Sequence, residues 1–352
     1  MFEEIPGSER WMSIEPVPKG WSKDIKYRVK TKEGQSLLVR ISDIADYPRK
    51  KLEYDALRKL DDLPVLMTRP VDFGMFDGGS RVFTITTWIE GEDAENVLPS
   101  LSLKEQYDLG WEAGMILRQI HRIPAPPEQP DWAERFNRKI DRNIRNYEAC
   151  GIELPGADKA IRHINSLRHL LEGRPQVFQH GDYHCCNMVI TADGKLGIID
   201  FNRLDYGDPW EEFNRIVWCA SVSGPFASGR INGYFAAGVV EDAVGDAAED
   251  AVHGAVDVAG AAAEHAAEHA GGYAAKDGSP GGSGQVRIPL EFFQLMSLYI
   301  ASNMLASVPW AIPFGQEEVD VMLKQAEQVL DWYDGFRNCV PRWYVGEGGL
   351  NP

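Results

Sequence analysis

The chain has 352 residues, of which 44% are apolar and 25% charged, values that are ordinary for globular proteins and argue against a disordered or fibrous class. Its formal charge of −17 argues against nucleic-acid binding, which needs a basic face, and favours cationic ligands. At this length we expect two parts, each with a core of its own.

The termini and cysteines predict a cytoplasmic protein with no membrane segment. No run of 18 apolar residues occurs, and the first ten residues lack the basic and apolar pattern of a signal peptide. The five cysteines are odd in number and form no C-x-x-C pair, so we expect reduced thiols. Monomer and dimer both stay open.

The first part of the chain has a strand pattern. Apolar and β-branched runs occur at residues 25–29, 36–41 and 81–89, with turn sequences between them. A helical pattern at residues 49–60 interrupts the strands. We therefore predict a small β-rich lobe over residues 1–88, followed by a linker at residues 89–95.

The period changes to that of a helix from about Leu103. Tyr107, Trp111, Met115 and His121 repeat at helical spacing before Pro124 ends the pattern. Further helices are predicted at residues 210–220, 290–305 and 317–337, and a short hairpin at residues 188–199. A larger helical lobe is thus expected over residues 96–235 and 286–352.

The segment between those two stretches differs in composition. Residues 236–285 contain sixteen alanines and nine acidic residues, and they close on a Gly/Ser-rich run. This predicts an insertion, either flexible or engineered. Its H-x-x-E-H pattern, from His265 to His269, has no third ligand nearby and does not predict a zinc site.

The most informative run is HGDYHCCN, from His180 to Asn187, followed after thirteen residues by Asp200-Phe201. Kinase catalytic loops have the form H-x-D-x-x-x-x-N followed by D-F, and this chain matches that spacing. Asp182 is then placed to accept the proton of an attacking hydroxyl. We expect His180 and His184 to hold the loop in shape.

Asn187 and Asp200 flank the predicted hairpin. With Asp193-Gly194 as a two-residue type I′ turn, Met188 would oppose Ile199 and Asn187 would oppose Asp200. Opposed residues have Cβ atoms about 5 Å apart. The amide and carboxylate oxygens would then form a site suited to Mg²⁺ and phosphate.

Upstream residues are candidates for holding the phosphates. Arg40 lies in a predicted strand, and Glu53 lies on the following helix, where it could pair with Arg40. Ser22, in the Lys19-Gly20-Trp21-Ser22 stretch, could contact phosphate oxygens. The chain has neither a G-x-G-x-x-G loop nor a P-loop.

These motifs, together with the later Gly207-Asp208-Pro209, resemble the aminoglycoside phosphotransferase and choline kinase-like superfamily. The resemblance implies an α+β, protein-kinase-like bilobal fold that binds ATP or GTP with Mg²⁺. It implies that Asp182 is the catalytic base, that Asn187 and Asp200 bind the metal, and that the base of the nucleotide lies against Trp88 and Ile89. Arg40 would stand where the family usually has lysine.

The acceptor is harder to predict. An acidic run after the metal aspartate is consistent with a cationic antibiotic, although acids are also common where helices begin. Its members are Asp205, Asp208, Glu211 and Glu212. An aminoglycoside-type acceptor is the first hypothesis, a kinase for choline, a sugar or homoserine the second, and a nucleotide-binding pseudokinase the third.

Overall fold

The computed structural model describes residues 2–18, 23–236 and 286–346. Two units emerge: Met1–Val97 with His180–Asp205, and Leu98–Gln179 with Tyr206–Pro352. The sequence predicted that residues 180–205 belong to the helical lobe, whereas in the structure they belong to the unit of the N-terminal strands. All of the predicted insertion after Ala236 lies outside the described residues.

The described residues form ten strands and nine α-helices. The strands are β1 (Trp11–Pro16), β2 (Ile25–Thr31), β3 (Ser36–Asp43), β4 (Pro70–Phe76), β5 (Arg81–Thr87), β6 (Glu92–Asp93), β7 (Val177–Gln179), β8 (Met188–Ile190), β9 (Leu196–Ile198) and β10 (Asp205–Gly207). The helices are α1 (Tyr47–Arg58), α2 (Ala94–Val97), α3 (Leu103–Ile120), α4 (Trp132–Ala149), α5 (Ala157–Leu167), α6 (Ile216–Val222), α7 (Gly224–Phe235), α8 (Leu290–Ala311) and α9 (Gln316–Trp332).

The first unit is built on an antiparallel sheet of five strands in the order β1-β2-β3-β5-β4. Its β-branched and aromatic residues alternate in direction, so that Val29, Val39 and Ile85 enter one apolar cluster. Arg40 and Ser42 project from the opposite face. The sequence predicted β2, β3, β5 and α1, and the structure confirms them.

The predicted hairpin exists, but its register was wrong by one residue. Met188 pairs with Ile198 and Ile190 with Leu196, and Thr191 N–H donates to Lys195 O at 3.0 Å, so residues 192–194 form a loop of three residues instead of two. Gly194 N–H donates to Thr191 O at 2.9 Å, and Gly194 has a φ of +79°. A β-turn followed by a left-handed residue is the usual three-residue hairpin loop.

The second unit is helical, with β7 and β10 as its two-stranded sheet. The predicted helices at α3, α8 and α9 are confirmed, while α4, α5 and α7 were missed. One apolar stretch of the described residues, Leu290–Phe314, meets the length and composition expected of a membrane span, with a mean hydropathy of 1.3, and 67% of its most apolar window is buried in the protein.

Helices α3 and α7 make the most intimate contact of the second unit. Two glycines of each helix lie against the backbone of the other, where even a methyl group would meet a main-chain atom. These are Gly110, Gly114, Gly229 and Gly233. Such spacing of small residues lets two helices touch through their backbones.

Candidate active site

The loop that carries HGDYHCCN is shaped by His180 and Gly181. His180 is buried, its Nε2 lies 3.0 Å from Ile199 O, and its Nδ1 accepts the Asp182 N–H at 3.2 Å. Because a carbonyl only accepts, Nε2 carries the proton. Gly181 has a φ of +79°, and a Cβ there would collide with Arg203 O. His180 therefore has the structural role that the sequence indicated.

Asn187 orients the Asp182 side chain, which is partly exposed. The Asn187 Nδ2 group donates to Asp182 O at 3.0 Å and lies 3.3 Å from Asp182 Oδ2. Arg203 Nε lies 3.7 Å from the same carboxylate oxygen. The Asp182 side chain is 20% exposed. A carboxylate that is oriented but accessible can accept a proton from a bound hydroxyl.

His184 supports the same carboxylate from the other side. Its Nε2 lies 3.4 Å from Asp182 Oδ1, and its Nδ1 accepts the Cys186 N–H at 3.3 Å. Burial lowers the pKa of His184, whereas the contacts with Asp182 and Cys186 raise it. Because Nδ1 accepts a main-chain N–H, the ring shown carries its proton on Nε2. Nε2–H thus faces Asp182, and His184 orients the base.

Cys186 lies beside Asn187, and its thiol is more acidic than an ordinary cysteine. A hydrogen bond with Cys185 and the neighbouring His184 lower the pKa of Cys186 to about 7, against the effect of burial. Its Sγ lies 3.0 Å from Glu95 Oε2. All five cysteines are free thiols, as predicted.

Asp200 and Arg40 form the second part of the site. Arg40 NH2 donates to Asp200 Oδ1 at 3.0 Å, and the Asp200 side chain is 32% exposed. Asp200 has a φ of +67°. Because a left-handed conformation is strained for a non-glycine residue, such positions cluster at functional sites.

The predicted pairing of Arg40 with Glu53 was wrong. Glu53 instead contacts Arg49 at 2.8 Å and Lys50 at 3.3 Å, both within α1. Lys50 also contacts Asp24 at 2.7 Å, and Asp24 lies 3.9 Å from Arg40. Lys50, three residues before Glu53 on the same helix, takes the carboxylate that was assigned to Arg40.

Asp24 contacts several of these residues, although no sequence motif marked it as part of the site. It accepts a hydrogen bond from Ser42 Oγ at 2.8 Å in addition to its ion pairs. Burial alone would raise the pKa of Asp24, but Lys50, Ser42 and Arg40 lower it, so the carboxylate stays charged. Its position two residues before Lys26 in an otherwise basic stretch was the available signal. Arg203, three residues after Asp200, was also missed.

The residues present fit a Mg²⁺ ion. Asn187 donates its NH₂ group to Asp182, and Asp200 Oδ1 accepts from Arg40. The other oxygens, Asn187 Oδ1 and Asp200 Oδ2, accept no hydrogen bond from a described residue. Ile199 N–H donates to Asn187 O at 3.1 Å. Asn187 and Asp200, the residue after Ile199, therefore lie at the two ends of the same hairpin. No group of three or more His, Cys, Asp or Glu suited to a metal occurs in the described ranges. Mg²⁺ commonly takes one or two protein oxygens and completes its shell with water and phosphate.

The predicted base-binding segment follows β5. Trp88 N–H donates to Ser36 O at 3.0 Å, and the Arg28 guanidinium lies 5.2 Å from the Trp88 ring. Glu90 accepts from Arg28 and from Ser36 Oγ, the latter at 2.7 Å. Ile89 packs next to Gly197 of β9. Ser22, the other predicted cofactor contact, lies outside the described residues.

Asp208, a predicted acceptor residue, is completely buried. Arg174 donates to its two oxygens at 2.8 and 3.0 Å, the Tyr299 hydroxyl at 2.6 Å and the Trp210 N–H at 3.0 Å. A carboxylate with four donors has little capacity left for a ligand. Its surroundings indicate a structural role.

The other three predicted acceptor residues differ from one another. Glu212 is buried, with His121 Nε2 at 3.8 Å, and Glu211 pairs with Lys139 at 2.9 Å. Asp205, the last residue of the first unit, is exposed. Exposure therefore favours Asp205 over the others as a contact for a dissolved molecule.

Comparison with known proteins places the sequence and the fold. The model of the phosphotransferase enzyme family matches residues 13–248. Aminoglycoside phosphotransferase APH(4)-Ia in its apo form superposes with a TM-score of 0.58 at 11% identity, covering 93% of this chain and 96% of that one. The same enzyme with ADP and hygromycin B gives 0.57 at 12% identity, covering 94% and 98%.

A further similar structure is the complex of gentamicin with APH(2'')-IIa, at a TM-score of 0.52 and 15% identity, covering 96% of each chain. No curated protein sequence matches the chain. These superpositions confirm the α+β, kinase-like fold that the sequence predicted.

Proposed function

The chain belongs to the phosphotransferase enzyme family, and from that premise we propose that it transfers the γ-phosphoryl group of ATP to a hydroxyl of an aminoglycoside-type antibiotic. Its membership makes it a phosphotransferase. The donor, the metal and the acceptor are the parts that we add. The observation that carries them is the arrangement of Asp182, Asn187 and Asp200 within one unit.

Asp182 is the proton acceptor in this proposal. Its carboxylate is held by Asn187, faced by His184 and Arg203, and still partly exposed. A hydroxyl of the acceptor that hydrogen-bonds to it is turned towards the phosphorus and loses its proton as the new P–O bond forms.

Asn187 and Asp200 would hold Mg²⁺ through the two oxygens that have no described donor. When bound, the ion would neutralise part of the phosphate charge. Arg40, whose guanidinium lies beside Asp200, would contact the phosphates directly. All three side chains come from strands or from the ends of strands, which fixes their relative positions.

Two observations support an aminoglycoside acceptor. The similar structures are aminoglycoside phosphotransferases, solved with hygromycin B in one case and gentamicin in another. The chain itself is strongly acidic, which favours a polycationic acceptor. Asp205 is the exposed acid of the predicted set.

The test is a screen for acceptor-dependent release of ADP from Mg·ATP. The panel contains hygromycin B, gentamicin and streptomycin, and also choline, simple sugars and homoserine, with GTP as a second donor. Asp182→Asn, purified in parallel, controls for contaminating kinases. Turnover with an aminoglycoside supports the proposal, and turnover with choline, a sugar or homoserine alone assigns a metabolic kinase. ATP binding without turnover on any acceptor would contradict the proposed reaction.

A further inference from the structure

Lys26 and Arg40 are directly opposed partners of β2 and β3. Directly opposed residues of neighbouring strands project from the same face of the sheet. Each residue is only 8% exposed. Two like charges in this position destabilise a sheet, and burial increases the cost. A cationic pair of this kind therefore requires anions around it.

The protein surrounds this pair with carboxylates and with further cations. Arg40 contacts Asp200 and Asp24, and Lys26 feels the charge of the same two carboxylates. Lys50 and Arg49 both contact Glu53. Glu53 and Asp24 are already engaged by Lys50. Asp200, at 3.0 Å, is the carboxylate that lies nearest to Arg40.

A divalent ion on Asp200 would add two positive charges to this cluster. Arg40 would then face a carboxylate whose charge is shared with the metal. A metal-bound polyphosphate has the multiple negative charges that restore the balance. A neutral base or ribose could not do so.

The sequence supplies a second reason. Many kinases wrap the phosphates with the backbone N–H groups of a G-x-G-x-x-G loop, and this chain has none. Side-chain cations are the alternative donors for phosphate oxygens. Lys26 lies at the start of β2, only a few residues after the Lys19-Gly20-Trp21-Ser22 stretch.

We propose that Lys26 is a second cation for the donor polyphosphate, acting with Arg40 as a pair across β2 and β3. This inference rests on the proposed function and adds a residue that no motif assigns. It predicts that Lys26 contributes to the binding of phosphates and not to the binding of the base.

The experiment compares three ligands by calorimetry in the presence of Mg²⁺: AMP-PNP, inorganic tripolyphosphate and adenosine. Lys26→Gln and Lys26→Met remove the charge, and Lys26→Arg keeps it. Lys30→Gln is the matched control, since Lys30 lies on the same strand and the same face but is exposed. Thermal melts of each variant establish that it is folded.

We expect the neutral variants to raise the Kd for AMP-PNP and tripolyphosphate by about tenfold or more, the range of a lost charge-assisted hydrogen bond. Adenosine binding should stay within a factor of two, as should every value for Lys30→Gln. Lys26→Arg should retain most of the affinity for phosphate. Should Lys26→Gln unfold, Lys26→Met provides the same measurement, because it keeps a long aliphatic side chain.

Unchanged affinity for AMP-PNP in a folded neutral variant would overturn the inference. So would an equal loss of affinity for adenosine, which would show that Lys26 supports the fold or the base. A parent protein that binds none of the three ligands contradicts the proposed function itself, an outcome that is distinct because it appears before any substitution is made.

Discussion

The carboxylates of Asp182 and Asp200, in the first unit, and those of Asp208 and Glu212, in the second, are held in opposite ways. The side chains of Asp182 and Asp200 are 20% and 32% exposed. Asp208 has four donors and no exposure, and Glu212 is buried near His121. Exposure, more than acidity, separates a carboxylate that is open to a ligand from one that serves the fold.

That distinction gives opposite expectations for the same chemical change. Replacing a saturated buried carboxylate by an amide should affect folding, because its donors are left without a charge. Replacing an accessible one should affect catalysis or binding and leave the fold intact. Four substitutions test this, from the largest expected effect to the smallest.

Asp208→Asn should lower the free energy of unfolding by about 3–5 kcal/mol, because Arg174 loses its buried partner. Denaturant titration measures the change. Asp158→Asn is the control, since Asp158 pairs with Arg162 on the exposed surface and should have little effect. A stable Asp208→Asn protein with a selective loss of acceptor binding would reverse the assignment of this carboxylate.

Asp182→Asn should lower turnover by ~10² or more, because an amide cannot take up the proton. The melting temperature and the affinity for Mg·AMP-PNP should change little. Steady-state kinetics and calorimetry on one preparation measure all three. Near-normal turnover would remove Asp182 from the role of base.

Asp200→Ala should weaken binding of Mg·AMP-PNP by about tenfold or more, since a metal ligand is lost. The affinity for AMP-PNP in excess chelator should fall far less, because Arg40 keeps Asp24 as a neighbour. The ratio of the two affinities is the informative quantity. A ratio equal to that of the parent would argue against Mg²⁺ at Asp200.

Asp205→Asn tests the exposed member of the predicted acceptor residues. We expect the KM for a cationic acceptor to rise about two- to fivefold with unchanged kcat, the size of a solvent-screened charge interaction. The effect should shrink in high salt. Glu211→Gln is a useful comparison, because Glu211 already has Lys139 as a partner. Equal effects of the two would show that exposure does not select the acceptor contact.

The sequence predicted the fold well where a pattern is local. The periods of β2, β3, β5, α3 and α8 are visible in the residues themselves, and the spacing of HGDYHCCN and Asp200 identified the loop. The hairpin register failed because Asp193-Gly194 reads as a two-residue turn. Thr191 decides otherwise, since its Oγ1 accepts the Lys195 N–H at 3.0 Å and extends the loop by one residue.

The charges of the site could not be paired from the sequence. Arg40, Glu53 and Asp24 were each visible as charged residues, but which ones meet depends on how α1 lies against the sheet. Lys50 contacts Glu53, the residue that was expected to pair with Arg40. Likewise the burial of Asp208 depends on Arg174 and Tyr299, which are distant in the chain and carry no motif that links them to it.

The glycine contact between α3 and α7 sets a limit on how this protein can change. Most buried positions accept a somewhat larger or smaller apolar residue, because neighbouring side chains adjust. At Gly110 and Gly233 the neighbour is main chain, which has no rotamer to change. Selection should therefore keep these glycines even though neither lies near the catalytic loop in sequence. Helix α7 ends at Phe235, so added sequence beginning at residue 236 starts beyond this contact, and large variation in length can accumulate there without disturbing it.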